Sequence, residues 1–337
     1  MRIGIAYDLA PAHRADDGPD DRFEEFDKPE TVEAIAAVLR GEGHEVVLLG
    51  DGRAFLSKIL ETPVDLVWNL AEGEGVGRCR EARVPAVLEM LGIPYTGSDP
   101  LTLSACLDKS VAKGIVERVV DVPQGRTFTR QNLKEEGVQI DVTKLLSFGP
   151  PWIVKPAFEG SSKGIRGNAL VQNSDEVEAR VLELLHDYEQ PILVEEFVAG
   201  DEVTVGVVGN GRGIETLGLM RVRPRSGDPN FVYSIEVKRD WDVRVEYETP
   251  LRLAEELVKG IELAAHAAYW LLGCRDVARI DFRVRDDTPY FLEANPLPGL
   301  APDWSDLVIL AKGYGMSHAD LIRRILNAAL DRLGLSR

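Results

Sequence analysis

Two apolar-rich runs separated by a turn constrain this fold more than any other feature of the chain. Arg279-Ile280-Asp281-Phe282 and Phe291-Leu292-Glu293-Ala294-Asn295-Pro296 flank the turn-like Arg285-Asp286-Asp287-Thr288-Pro289, and the whole reads as a hairpin. Strand side chains repeat every two residues, so Arg279, Asp281 and Arg283 share a face, as do Glu293 and Asn295 on the second strand. An acid opposite an acid and an amide is an oxygen-ligand cluster suited to a hard divalent cation such as magnesium. Arg279 beside it suits a phosphate or another developing anion. The hairpin therefore moves the reading of an α/β chain towards magnesium-assisted phosphoryl chemistry.

At 337 residues the chain has room for about two domains, or three small ones. Hydrophobic residues at 45% and charged residues at 28% are ordinary for a globular protein with a sizeable core. A net charge of −17 excludes general attraction to nucleic acid or anionic membrane, so any anion site must be built from local cations. Cys79, Cys106 and Cys274 are far apart with no C-x-x-C pair, which suits a reducing compartment and argues against a disulfide or zinc framework. The first residues, Met1 to Tyr7, reach charge too soon for a signal peptide. No run approaches a membrane span, since Ile261 to Gly273 is interrupted by Glu262 and His266. The cytoplasm is the expected compartment.

Strand, helix and strand alternate early: Arg2 to Tyr7, Thr31 to Arg40, His44 to Leu49 and Val64 to Leu70, a βαβ pattern that predicts a parallel sheet. Asp8 to Lys28 reads as a polar loop, and Pro85 to Leu91 as a further helix stopped by Gly92. The first domain is expected over 1–105. A second, α+β and antiparallel, is expected over 106–202, with a helix from Asp108 to Val119 and a strand Trp152 to Pro156. It continues with a helix from Ser174 to Tyr188 capped by Ser174, and strands Ile192 to Val198 and Glu202 to Val208. The third, 203–337, carries a polar loop from Arg221 to Trp241, a helix from Pro250 to Leu272, the hairpin, and a helix from Ser317 to Leu333.

Glu159-Gly160-Ser161-Ser162-Lys163-Gly164 follows the strand that ends with Lys155. Glycines and small hydroxyl residues let backbone N–H groups approach phosphate oxygens. The loop is no Walker A motif, and such a turn is more often only a turn, but a strand-borne lysine beside it favours the phosphate reading. Glu195-Glu196-Phe197-Val198 and Glu202 close a strand, where solvated charge explains the acids as well as ribose binding does. Arg221, Arg223, Arg225, Lys238 and Arg239 gather cations in a segment that is either an active-site lid or an exposed charged loop. Gly73, Gly75 and Gly77 lack the placement of a dinucleotide fingerprint and read as a flexible turn. His13, His44, His186, His266 and His318 form no i, i+3 or i, i+4 pair, and no G-x-S-x-G surrounds Ser161 or Ser162.

Taken in order, these pieces resemble the ATP-grasp superfamily and, within it, the D-alanine–D-alanine ligases. The matching segments are Leu91 to Ser98, Asp108-Lys109, Val154 to Pro156 with Glu159 to Gly164, Val194 to Phe197, Arg279 to Phe282, and Leu292 to Gly299. The resemblance implies a three-domain fold with ATP held between the central and C-terminal domains. It implies that Lys109, Lys155, Ser162 and Lys238 serve the ATP site, with Glu195, Glu196, Phe197, Val198 and Glu202 cradling adenine and ribose. Asp281, Glu293 and Asn295 would bind two magnesium ions, or manganese in their place. Arg279, Ser161, Lys238 and the Gly299 backbone would act on the reacting groups. The implied reaction joins small amino-acid substrates: a carboxylate attacks the γ-phosphate of ATP, and an amine then displaces phosphate from the acyl phosphate. A homodimer is implied as well.

The departures concern substrate. The ligases fix their first D-alanine with a glutamate followed by Val-Ser after the first strand; here a longer Asp16 to Glu30 loop offers Glu24, Glu25 and Asp27. Trp68-Asn69-Leu70-Ala71-Glu72-Gly73 stands where they carry a His-Gly pair, Arg239 replaces the tyrosine of their lid, and Trp304-Ser305-Asp306-Leu307 differs from their Ser-Leu pair. Ligases for other amino acids, and a non-catalytic nucleotide-binding regulator on the same fold, are the competing readings.

Overall fold

A computed structural model describes residues 1–11, 18–131 and 142–336; His13 and Asp16, named above, lie outside them. The chain begins with β1 (Arg2–Tyr7), α1 (Pro29–Gly41), β2 (Glu45–Gly50), α2 (Gly52–Glu61) and β3 (Leu66–Leu70). The strands form a parallel sheet in the order β2-β1-β3, as the βαβ pattern predicts. In α1, Val32, Ile35, Ala36 and Leu39 are buried at the 3.6-residue period. The helix α2 is an addition to the sequence reading: only Phe55 and Ile59 are buried in it, too sparse a stripe to register.

After α3 (Arg83–Leu91) come α4 (Pro100–Leu107) and α5 (Lys109–Val116), where a single helix from Asp108 was expected. Five of the eight residues of α4 are buried, so its composition shows no amphipathic stripe. Asp108 divides the two helices by accepting from the backbone N–H groups of Ser110 and Val111 at 3.1 and 3.2 Å.

A second sheet, antiparallel and ordered β4-β7-β5-β6, comprises β4 (Gly125–Phe128), β5 (Trp152–Pro156), β6 (Leu170–Val171) and β7 (Ile192–Glu196). It is backed by α6 (Ser174–Asp187) through Val177, Val181, Leu184 and Leu185. The cap of α6 is Asn173 rather than Ser174, because its side chain reaches the Glu176 N–H at 3.0 Å.

The third sheet, also antiparallel, runs β10-β9-β8-β11-β12: β8 (Asp201–Gly209), β9 (Glu215–Pro224), β10 (Val245–Glu248), β11 (Asp276–Arg285) and β12 (Thr288–Asn295). Two expectations are corrected here. Arg221 and Arg223 lie in β9 and alternate with the buried Met220 and Val222, so the first four residues of the expected loop, 221–224, belong to a strand. Residues 225–234 are loop, as expected, and the segment ends in α7 (Ile235–Arg239) and the start of α8 (Trp241–Arg244). The helix α9 (Glu255–Leu272) begins five residues after Pro250, since the Arg252 N–H is taken by the Glu248 carboxylate at 3.0 Å.

One face of this sheet packs on α9. The other packs on α10 (Asp306–Gly313) and α11 (His318–Leu333), and their core is continuous with that of the parallel sheet. Ser317 and Asp320 form the capping box that starts α11. That shared core fixes the N-terminal sheet against the C-terminal one and leaves a cleft between the second and third sheets.

Candidate functional site

The hairpin pairs as its alternation predicts: Arg279 faces Asn295 and Asp281 faces Glu293, with a bulge directly after Asp281. The Asn295 amide nitrogen stands 3.2 Å from Asp281 Oδ2 and 3.5 Å from Glu293 Oε1. Thr204 on β8 donates to Asp281 Oδ1 at 2.8 Å, and Arg279 Nη2 lies 2.9 Å from Asp281 Oδ2. Lys109 Nζ sits 3.1 Å from Glu293 Oε2. Burial raises the Asp281 carboxyl despite Arg279. Burial would also raise Glu293, but Lys109, Lys155 and Arg279 outweigh it and hold that carboxyl far below its usual range. Among the described residues no group of three or more His, Cys, Asp or Glu is placed to hold a metal, so any metal here would need the Asn295 amide to complete the two carboxylates.

Across the cleft, β7 presents Glu195, buried and ion-paired to both Lys155 of β5 and Lys113 of α5. Burial alone would raise Glu195, yet the two ammonium groups bring it below its ordinary value. Lys113 is pushed down to about 8, chiefly by burial against the pull of Glu195. Lys113 was missed in the sequence; its signal was the Lys109/Lys113 spacing of four, which puts both on one face of α5.

Lys155, Ser162, Glu195, Glu196, Phe197, Val198, Glu202, Lys238, Arg279, Asp281 and Glu293 all line this one cleft, with Ile153, Ile165 and Leu292 as apolar walls. Glu202 pairs with Arg283 at 3.0 Å and Glu196 with Arg285 at 2.8 Å. Burial raises Glu202, assisted by Asp281 and opposed by Arg283. The Gly/Ser turn is held taut: Ser161 and Ser162 have φ of 48° and 58°, left-handed values that L residues seldom adopt. Ser162 Oγ donates to the Tyr233 carbonyl at 2.8 Å and so ties the turn to the segment before α7. Gly164 closes it with φ +74°, where a Cβ would lie 2.4 Å from Pro156 Cγ.

Two further chambers open from the cleft. In the first, Ser161, Lys238, Arg279 and Gly299 meet Phe23, Phe26, Trp241, Tyr247, Trp304, Ser305 and Asp306. Asp306 lies 3.7 Å from Arg279 Nη1 and 3.9 Å from Lys238 Nζ, and accepts from Tyr233 Oη at 3.2 Å. Arg239 reaches Glu24 and Asp20 at 2.7 Å each, joining α7 to the N-terminal loop. In the second chamber Lys109, Ser161, Asn295 and Gly299 face Glu25, Glu72 and Glu81. Arg279 borders the cleft and both chambers, so every sequence-predicted site residue falls within one connected space.

The sequence reading also passed over Arg80, which is buried between Glu25 at 2.8 Å and Glu159 at 3.3 Å. Gly73 is more than a flexible turn, because its φ of +78° and the Arg80 carbonyl, 2.4 Å from where a Cβ would stand, admit only glycine.

Three sheets with a charged cleft between two antiparallel ones define an ATP-grasp architecture, and solved structures share it. The D-alanine–D-alanine ligase of Bacillus anthracis complexed with ATP superposes with a TM-score of 0.74 over 98% of each chain at 24% identity. The VanG D-Ala:D-Ser ligase of Enterococcus faecalis superposes with a TM-score of 0.73 over 98% of this chain and 100% of that one at 21% identity. The family model for the D-ala D-ala ligase C-terminus matches residues 117–327. The D-alanine–D-alanine ligases of Anaeromyxobacter dehalogenans and Aquifex aeolicus are each 34% identical over 298 residues, 88% of this chain and 90% and 93% of theirs. The chain belongs to the D-alanine–D-alanine ligase family.

Proposed function

We propose that the chain is an ATP-dependent ligase that activates the carboxylate of one small amino acid and joins it to the amine of another. Within its family it is a D-alanine–D-alanine ligase-like enzyme forming a carbon–nitrogen bond. The observation that carries the reading is the single cleft in which Lys155, Glu195, Arg279, Asp281 and Glu293 converge from two sheets.

In this reading Phe197, Val198 and the apolar walls take the adenine, and Glu196 and Glu202 the nucleoside hydroxyls. Lys109 and Lys155, each held in place by a carboxylate, meet the phosphates. Ser162 and the backbone of its taut turn lie over the phosphates. The donor carboxylate then attacks the γ-phosphorus, the bond to the ADP oxygen breaks, and an acyl phosphate forms. When the amine adds, negative charge develops on the carbonyl oxygen, where Arg279 and the Gly299 N–H can stabilise it, until phosphate leaves. Ser161 and Lys238 position the amino acids beside Arg279, which both chambers share. The α7–α8 segment, latched by Arg239, excludes water that would hydrolyse the acyl phosphate.

The two carboxylates and the amide of Asp281, Glu293 and Asn295 suit oxygen-seeking cations, magnesium or manganese, because they are packed side by side and one of them, Glu293, is held ionised. Bound there, such ions would supply charge neutralisation to the phosphates.

Domains over 1–105, 106–202 and 203–337, a cytoplasmic location and a homodimer belong to the same proposal and rest on the family. Among the described residues no helix is long and apolar enough to cross a membrane. The test is phosphate release from ATP screened across D- and L-amino acids. Stimulation by at least one pair is expected, and none by any pair would favour the non-catalytic reading.

A further inference from the structure

The chamber beside the metal-type cluster holds more carboxyl groups than its own cations pair. Four glutamates gather there: Glu25, Glu72, Glu81 and Glu159. Arg80 and Lys163 are shared between Glu25 and Glu159, with Gln190 donating to Glu159 at 2.6 Å. Lys109, on the opposite wall, is engaged with Glu293 at 3.1 Å. The carboxyl groups of Glu72 and Glu81 make no side-chain hydrogen bond or ion pair among the described residues, with Arg80 and Lys109 acting on Glu81 only from beyond contact, although the Glu81 residue is only 7% exposed and both line the chamber. A buried carboxylate without a partner is costly, and a chain retains one where a ligand completes it. The remaining wall is apolar, with Cys106, Leu107, Pro296 and Leu297. Lys109, Arg279 and Gly299 line the same chamber, and in the ligase reading the phosphorylated carboxylate lies beside them.

We propose that Glu72 and Glu81 form a cation subsite and that the carboxylate donor is a basic amino acid, its methylene stem against the apolar wall. A neutral amino acid brings one ammonium group to two unpaired carboxyl groups; a diamino acid brings two positive nitrogens, and each favours the ionised form of the carboxyl it meets, which gives up its proton to solvent and pairs with it. This inference rests on the ligase reading and names the class of its first substrate. The same feature disfavours donors that lack an amine, such as hydroxy acids and simple carboxylates.

Hydroxylamine captures an acyl phosphate as a hydroxamate, so the donor step can be read without knowing the acceptor. The wild-type chain would be given ATP, magnesium, hydroxylamine and one candidate donor: alanine, serine, 2,3-diaminopropionate, ornithine or lysine, in both chiralities. Hydroxamate formation with a basic donor should exceed that with alanine by about tenfold or more in kcat/KM. Glu81→Gln and Glu72→Gln should each raise the KM for the basic donor by about tenfold, with little change in the KM for ATP, the sign that the nucleotide site is still folded. Preference for alanine, or an equal loss for basic and neutral donors in both variants, would overturn the cation subsite while leaving the ligase reading standing. No hydroxamate with any amino acid would remove the ligase reading and the subsite with it.

Discussion

The two sides of the cleft proposed for the nucleotide and for the amino acids handle charge in opposite ways. On the nucleotide side the buried carboxylates have counterions from another element: Glu195 from Lys113 and Lys155, Glu293 from Lys109, Glu202 from Arg283. On the amino-acid side Glu72 and Glu81 are left without one, and Arg239 is spent on a latch to the N-terminal loop. A site that pairs its own charges is organised for one constant ligand, since truncating either partner strands the other in low dielectric. A site with unpaired carboxylates is organised around what it admits. The contrast fits the proposed function, in which the nucleotide is constant and the amino acids are what departs from the family resemblance.

The strongest way to break the comparison is on the paired side. Glu293→Gln, or Asp281→Asn, keeps the shape and removes one charge from the cluster. Turnover should fall on the order of 10³-fold, since several kcal/mol of charge stabilisation is lost and each 1.4 kcal/mol is about tenfold. Steady-state phosphate release checks it, with circular dichroism to show that the fold is kept. Full activity in either variant would refute the metal assignment. Lys113→Ala comes next. It leaves Glu195 with Lys155 alone, so the loss of stability should be about 2 kcal/mol, below the ~3–5 kcal/mol of a pair broken outright. The denaturant midpoint should drop and the KM for ATP should rise.

How much of this was legible in the sequence follows from the range of each signal. The hairpin was readable because period-two alternation and a turn are local, and its register followed from that alternation. The helix starting near Ser317 was readable for the same reason, and the structure adds the capping box of Ser317 and Asp320. The segment Arg221 to Trp241 is legible as a loop only in its middle, because Met220 and Val222 anchor its arginine-rich start to a strand and Ser234 caps a short helix at its end. Lys113 and Arg80 escaped notice because their carboxylate partners lie 82 and 55 residues away in sequence, a distance that only the assembled sheets close. Glu72 was marked only as a departure from the family; that it lacks a partner is a property of the packing around it.

The unpaired side can be sharpened by pH. Burial pushes Glu81 up to about 8 against the pull of Arg80 and Lys109, and Asp27 up to about 7; Asp8, with Asp51 adding to burial, also reaches about 7. Folded protein therefore holds protons on these groups between pH ~4 and pH ~8, where the unfolded chain has released them. Stability is greatest below the unfolded values and declines as pH rises through 7 to 8, by at most about 1.4 kcal/mol per pH unit for each proton. Glu25, held near 2 by Arg80 and Lys163 in spite of burial, finishes titrating below this window. Denaturant midpoints from pH 5 to 8 should fall, and Glu81→Gln should flatten the slope by one carboxyl's share. An unchanged slope would mean that Glu81 is ionised in the folded protein throughout.

The smallest expected effect concerns the latch. Arg239, which the sequence resemblance sets in the place of a lid tyrosine, holds Asp20 and Glu24 with a third of its side chain exposed. Exposed ion pairs contribute about 0–1 kcal/mol and are screened by salt, so Arg239→Tyr should leave global stability within about 1 kcal/mol. Lid closure is a different equilibrium, in which the open and closed states differ by a few kcal/mol, and there a contribution of that size is visible. The KM for the amino acids should rise about threefold at low ionic strength in the variant. The wild-type KM should climb with added salt until the two converge, because salt weakens a charged latch and leaves a tyrosine contact untouched. If wild type and variant keep parallel salt dependences, Arg239 is an ordinary surface charge and the two sides of the cleft differ only at Glu72 and Glu81.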